Sequence, residues 1–232
     1  MKQITSRKSA ILLCVLLAVL AGAGWMALYP PDLLQSLLGS KSIAGVTQML
    51  EATRPDIVQL ASGAGDGLTI AAFKRERILE LWSEGRLLKS YPFTGFSGKL
   101  GPKVKEGDKQ IPEGVYAAKS LNPNSRFHLS IEVGYPNALE LAATEKEGRQ
   151  QLGGEIFIHG GRASVGCIPI GNEAIDEVFF IVAKVGLGRT RIVIAPYDMR
   201  KGRDAGVDAE VFKTTPWAEA AYGEIEKALA DL

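Results

Sequence analysis

The stretch Ile156–Gly171, IFIHGGRASVGCIPIG, limits the fold and the chemistry of this chain more than any other. Ile156, Phe157 and Ile158 are apolar in succession, the pattern of a strand buried on both faces, so His159 stands where a rigid strand opens into a glycine-rich turn. The turn delivers Cys167 with Gly166 before it, which leaves backbone N–H groups approachable, and a second short apolar run after it. The chain has two histidines and two cysteines, and the other cysteine, Cys14, lies in an apolar N-terminal run. A thiol has a reference pKa of about 8.5 and is mostly protonated at neutral pH unless an imidazole takes the proton. Taken singly, Cys167 reads as a small buried hydrophobe and His159 as a satisfied core histidine. Together, among glycines that leave room for a substrate, they read as a nucleophile and base for acyl transfer.

Several classes of function are excluded by what surrounds this stretch. Net charge is +1 without blocks of like charge, so no electrostatic footprint for nucleic acid exists. With Cys167 alone downstream of the N-terminal run, neither a disulfide within the globular part nor a resolving partner for thiol redox chemistry is available. A catalytic zinc requires about three well-spaced ligands, and Glu155 with His159 is a single weak pair, so no metal and no other cofactor is expected. Papain-like enzymes place cysteine before histidine, whereas both histidines here precede Cys167.

Along the chain, Lys2, Arg7 and Lys8 precede the nearly uncharged run 10–28, close to the roughly 20 residues that span a bilayer. Residues 1–30 read as a signal anchor, with a cleaved signal peptide at Ala21-Gly22-Ala23 as the alternative, placing the remainder outside the cytoplasmic membrane. Residues 31–66 read as a helical linker, with Ile43, Val46, Met49 and Leu50 at helical spacing, and 67–197 as the catalytic domain. Leu68–Phe73, Ile78–Trp82 and Leu87–Phe93 suggest a β-meander. The segment from Ser97 to Ile111 reads as a solvated lysine-bearing loop beside the cleft, its lysines available to substrate carboxylates. Gly114–Lys119 is a strand. Phe127–Val133 alternates, with His128 on its polar face as a positioning or surface group. Ala138–Glu147 reads as a helix, as does the segment after Asn172, whose side chain is the expected N-cap and whose apolar stripe runs from Ile175 to Val185. Arg191–Ala195 is a last strand, and 198–232 a polar linker and a helix from Pro216.

The motif HG-x3-S-x-GC, formed by His159, Gly160, Ser164, Gly166 and Cys167, resembles the active-site signature of the L,D-transpeptidase (YkuD-type) catalytic domain, a family of bacterial cell-wall cysteine enzymes. SGKLGPKVKEGDKQIPEGVY (97–116), NPNSRFHLS (122–130) and GYPNA (134–138) resemble its YafK-like branch. The resemblance covers roughly Leu68–Tyr197. It implies an α+β, mainly β fold, a YkuD-like β-sandwich with packed helices, preceded here by the membrane segment. It also implies Cys167 as nucleophile, His159 as base, and an oxyanion hole from the Gly166 and Cys167 amides. Gly160, Ser164 and, from its place on the polar face of its strand, His128 are further substrate-binding candidates. The implied partners are diaminopimelate-containing peptidoglycan stems and a wall-linked lipoprotein, met in the periplasm, and the outcome is transpeptidation or hydrolysis. The family pattern is broken at Val165, which stands where a histidine is common, and at Pro169, where arginine or asparagine is common. A non-catalytic wall-binding module of the same fold is the other reading.

Overall fold

The computed structural model describes residues 40–232. The N-terminal segment 1–30, Cys14 and the start of the 31–66 linker lie outside the described residues, and no described helix is long and apolar enough to cross a membrane. In order, the elements are α1 (Ile43–Thr53), α2 (Pro55–Ala61), β1 (Leu68–Phe73), β2 (Ile78–Ser83), β3 (Arg86–Pro92), β4 (Gly114–Ser125), β5 (His128–Val133), α3 (Ala138–Glu147), β6 (Phe157–His159), β7 (Ile168–Pro169), α4 (Asn172–Val185), β8 (Thr190–Ala195), α5 (Ala205–Thr214) and α6 (Ala218–Ala230). Short 3-10 turns lie at Leu187–Arg189 and Met199–Lys201.

The strands follow the order β3-β2-β1-β8-β4-β5-β6-β7. Only the β1–β8 and β6–β7 pairs are parallel, so the sheet is mixed. β1 and β8 are apolar at successive positions because both of their faces are covered. Leu68, Ile70, Ala72, Ile192 and Ile194 enter one core, while Ala71, Phe73, Val193 and Ala195 enter another. β4 is shared between two sets of strands: Gly114–Ala117 pairs with β8, and the remainder pairs with β5 across two register shifts. The expected sandwich is therefore a continuous hydrogen-bonded series that turns through one long strand.

α4 is covered on most sides, which is why its apolar positions exceed one stripe. Ile175, Val178, Phe179, Phe180, Ile181 and Val182 share a cluster with Leu79 and Leu81 of the first strands and Leu129, Ile131 and Ile158 of the second set. Val46, Leu50 and Ile57 bring α1 and α2 into this same core. On the opposite face of β1 and β8, Val211, Tyr222, Ile225 and Leu229 of α5 and α6 close the second core. Helices consequently hold more residues than strands, which corrects the mainly-β expectation. The miss is α5, where a polar linker was expected: Asp204 accepts the amides of Gly206 and Val207 and starts a helix.

Two buried carboxylates tie these layers together. Glu113 is fully buried and bonds Lys74 Nζ at 2.7 Å, the Gly101 amide at 2.8 Å and the Tyr222 hydroxyl at 2.7 Å. Lys74, also fully buried, donates in addition to the carbonyls of Gly101 at 2.9 Å and Ile111 at 2.8 Å. Burial lowers the Lys74 pKa and the Glu113 charge opposes that shift.

Glu140 is the other. It closes a capping box with Asn137 at the start of α3 and accepts the Tyr116 hydroxyl at 2.8 Å. Burial pushes its pKa up to about 7 against the opposing bonds from Asn137 and Tyr116. A carboxyl whose folded pKa is raised favours the folded state while protonated. Stability should thus be greatest below about pH 4.5 for this group and fall as pH rises through about 7, by roughly 3 kcal/mol at 1.36 kcal/mol per unit. In Glu140→Gln, one amide oxygen still accepts from Asn137 and the NH2 meets Tyr116, so the loss of melting temperature between pH 5 and pH 8 should be smaller than in the parent protein. Equal losses in the two proteins would remove Glu140 as the cause.

Candidate active site

β6 and β7 lie together at one edge of the sheet, with Ile158 opposite Ile168 and His159 opposite Pro169. Ile158 and Ile168 are fully buried in the main core. Strand alternation then sends Phe157 and His159 from β6, and Cys167 and Pro169 from β7 and its leading residue, to the opposite face. The thiol and the imidazole therefore project from one face on adjacent strands. In register His159 stands opposite Pro169, two residues along β7 from Cys167.

His159 is 1 % exposed. Its Nδ1 lies 2.5 Å from the Gly160 carbonyl. A carbonyl can only accept, so Nδ1 carries the proton and Nε2 is left as the basic nitrogen. The Phe127 ring stacks on the imidazole at 4.6 Å between centroids. Burial lowers the His159 pKa and the Gly160 carbonyl partly offsets this, so the ring is neutral at physiological pH and ready to accept a proton.

Cys167 is a free, half-buried thiol whose Sγ makes a weak 3.9 Å contact to the Glu155 carbonyl. Burial pushes its pKa up, while the Phe157 amide and the charge of Lys103 pull it down. The resting pair is thus a thiol and a neutral imidazole, each with a backbone partner, so proton transfer belongs to the reaction step.

The turn between them is more tightly bonded than its glycines suggest. The Gly166 amide is not open as expected: it donates to Ser97 Oγ at 2.7 Å. Glycine is required there because φ is +104° and a Cβ would stand 2.9 Å from the Gln110 carbonyl oxygen. Ser164 donates its hydroxyl to the Cys167 carbonyl at 2.7 Å and so supports the peptide that follows the thiol-bearing residue. Gly160 holds the imidazole through its carbonyl, and a Cβ on it would come within 2.6 Å of Asn172 Oδ1 and the Phe127 carbonyl. Its amide is taken by the Leu129 carbonyl.

His128 stands apart from the pair. Its φ of +78° breaks the alternation at the start of β5, and its Nε2 pairs with Asp176 of α4 at 2.6 Å. The same break frees Phe127 from the Leu129 face to lie against His159.

Sequence reasoning missed other residues here. Asn172 does not cap α4, whose cap position is Gly171; its Oδ1 accepts the Gly161 amide at 2.8 Å. Thr94 donates its hydroxyl to the Gly161 carbonyl at 2.6 Å and its amide to Pro169. The lysine loop is not simply solvated. Lys103 is 5 % exposed and bonds Asp108 at 2.7 Å, and Asp108 also accepts the amides of Val104, Lys105 and Gln110. Burial acts to raise the Asp108 pKa, but Lys103 and these amides prevail and hold it below the ordinary carboxylate value. Lys99, Lys105 and Lys109 are exposed. Among the described residues, no cluster of three or more His, Cys, Asp or Glu side chains could hold a metal ion.

Over 143 residues the chain is 36 % identical to YafK of Escherichia coli (strain K12), an alignment that covers 59 % of this chain and 56 % of that protein. The chain thus spans little more than half the length of this curated relative. Among solved structures, the helical cell shape determining protein Pgp2 from Campylobacter jejuni superposes with a TM-score of 0.45 at 21 % identity, over 61 % of this chain and 56 % of that one. Bd1075 from Bdellovibrio bacteriovorus gives a TM-score of 0.41 at 21 % identity, over 66 % and 55 %. The L,D-transpeptidase catalytic domain (YkuD) family matches residues 68–194, from the first residue of β1 to the penultimate residue of β8, with His159 and Cys167 inside the matched range. This chain belongs to the L,D-transpeptidase catalytic domain family.

Proposed function

We propose that this chain is a cysteine acyl-transfer enzyme acting on peptidoglycan peptide stems. The observation that carries the reading is the common sheet face of His159 and Cys167, with Nε2 of the imidazole left basic by the Nδ1 bond to Gly160. Cys167 attacks the carbonyl at the L-centre of a diaminopimelate residue in an L,D-type linkage. The S–H proton passes to His159 Nε2, an S–C bond forms, the C–N bond breaks, and the leaving amine departs with the proton. Water or an amine then resolves the thioester.

A cleft of about 590 Å³ beside the HGG turn supports such a substrate. Its lining includes Thr94, Gly161 and Arg162 together with Lys89, Glu173 and Glu177; Lys89 and Glu177 pair with each other at 2.6 Å, and Arg162 and Glu173 supply charge of both signs outside that pair. A diaminopimelate stem carries both carboxylates and an amine. The proposed compartment is the periplasm, reached through residues 10–28 as an anchor or cleaved signal.

The reaction outcome follows from the departures at Val165 and Pro169. Transpeptidation requires the thioester to be shielded from water until an amine docks. Val165, beside the Gly166-Cys167 pair, is 68 % exposed, and Pro169 is buried in β7 and offers no charge to an acceptor. Hydrolysis of L,D-type bonds, including one that tethers a lipoprotein to diaminopimelate, is therefore expected to exceed cross-linking. The test incubates the protein with donor stems, with and without excess amine acceptor, and measures hydrolysed and cross-linked products by mass spectrometry. Mostly cross-linked product at equal turnover would overturn the hydrolytic assignment. Binding with no covalent turnover under any condition would favour the wall-binding module instead.

A further inference from the structure

Ser97, on the loop that follows β3, contacts the nucleophile's turn from far away in sequence. Its Oγ accepts the Gly166 amide at 2.7 Å and lies 2.9 Å from both Ser164 Oγ and the Lys109 carbonyl. Ser164 in turn donates to the Cys167 carbonyl at 2.7 Å. The direction of each bond follows from its groups: an amide N–H and a carbonyl leave the two hydroxyls no choice at the ends of the chain, and the Ser97 proton is shared between Ser164 Oγ and the Lys109 carbonyl. Two hydroxyls therefore hold the peptide units on either side of the one that joins Gly166 to Cys167. The orientation of that central peptide, and hence of the Cys167 amide and Sγ, is set from both flanks.

The loop that presents Ser97 is itself fixed. Lys99 and Gln110 bond across its base at 2.7 Å, Asp108 gathers three amides and the Lys103 ammonium, and the Lys74–Glu113 pair holds the Gly101 and Ile111 segments. Lys109, whose carbonyl meets Ser97, sits at φ +58°, a conformation retained only where the surroundings determine it.

We infer that Ser97 is a positioning residue for acyl transfer, which acts through Ser164 and Gly166 to hold the Cys167 peptide in its attacking orientation. The inference rests on the reading of Cys167 as nucleophile. Removal of the hydroxyl frees the Gly166 amide and leaves Ser164 alone on the Cys167 carbonyl, so the turn rotates more freely while the thiol keeps its burial and its neighbours Phe157 and Lys103. A misplacement of about 1 Å at a reacting group lowers the rate on the order of 10²-fold.

The experiment compares the full protein with Ser97→Ala and Ser97→Thr, using diaminopimelate stems as substrate. In Ser97→Ala, kcat should fall ~10- to 100-fold with KM within about twofold. The melting temperature should fall by only a few degrees, the effect of one buried amide left without its acceptor, and the pH profile of Cys167 alkylation by iodoacetamide should stay as in the parent, because the thiol keeps its burial and its neighbours Phe157 and Lys103. Ser97→Thr, which keeps the hydroxyl, should recover most of kcat. Unchanged kcat in Ser97→Ala overturns the inference. So does a fall in kcat accompanied by lost thermal stability and altered alkylation that threonine fails to restore, which would make Ser97 a merely structural residue. If the parent protein itself forms no thioester with the stems, the proposed function fails first, and the two failures are told apart.

Discussion

Cys167→Ser should fold as the parent does and turn over no peptide stem. Serine differs from cysteine by one atom in a half-buried position, so packing is nearly conserved. A hydroxyl, however, is far less acidic than a thiol, and the buried neutral imidazole beside it, its own pKa lowered, is too weak a base to compensate. His159→Ala should lower the chemical step by about 10²–10⁴-fold, the usual range for loss of a general base. His128→Ala should cost clearly less, because that imidazole is engaged with Asp176 and lies outside the thiol–imidazole pair. Single-turnover kinetics with detection of the thioester by mass spectrometry checks all three variants. Parent-level activity in Cys167→Ser would end the assignment of the nucleophile, and equal losses in the two histidine variants would end the distinction between their roles.

The largest effect on stability is expected at Lys74. Both Lys74 and Glu113 are fully buried, and Lys74→Met strips Glu113 of its counter-charge while leaving the Gly101 and Ile111 carbonyls without their donor. Removing one partner of a buried pair typically destabilises by about 3–5 kcal/mol. For a chain of this size that corresponds to a fall in melting temperature on the order of 10 °C. Because those two carbonyls belong to the loop that carries Ser97, turnover should fall as well, and below the melting range. The apolar double variant Lys74→Met, Glu113→Leu should recover part of the stability, since no unpaired charge remains, but not all of it, since Tyr222 and the Gly101 amide lose their acceptor. Chemical denaturation checks this. A loss under about 1 kcal/mol in Lys74→Met would show that the pair does not lock the layers.

The strands were legible wherever apolar residues repeat without interruption. β1, β2 and β3 fall on the three runs of the expected meander, and the runs before His159 and after Cys167 became β6 and β7. β4 was read too short because Asn122-Pro123-Asn124 has the composition of a turn, yet Asn122 pairs with Ser130 and the irregularity is absorbed as a register shift. His159 and Cys167 were legible as candidates because their residue types are rare in this chain. Ser97, Thr94 and the Asn172 side chain were not, since each acts through hydrogen bonds to groups that only the fold brings near, and a serine in a polar loop carries no periodic signal. The same limit applies to Lys103. Among four lysines of one loop, only the fold decides which is buried against Asp108.

The position of β8 determines the order in which this molecule can be assembled. It is the last strand to be synthesised, and it is hydrogen-bonded between the first strand and the fourth, in parallel register with β1 from Leu68↔Thr190 to Phe73↔Ala195. Until residue 195 is available, β1 and β4 have no common hydrogen-bonded neighbour, and the two halves of the sheet share only the side-chain packing around α4. Pairings that join such distant segments form late and slowly. The side bearing His159 and Cys167 hangs from β4, so a chain stopped between Cys167 and Thr190 would hold both residues without the strand that joins their half of the sheet to the rest.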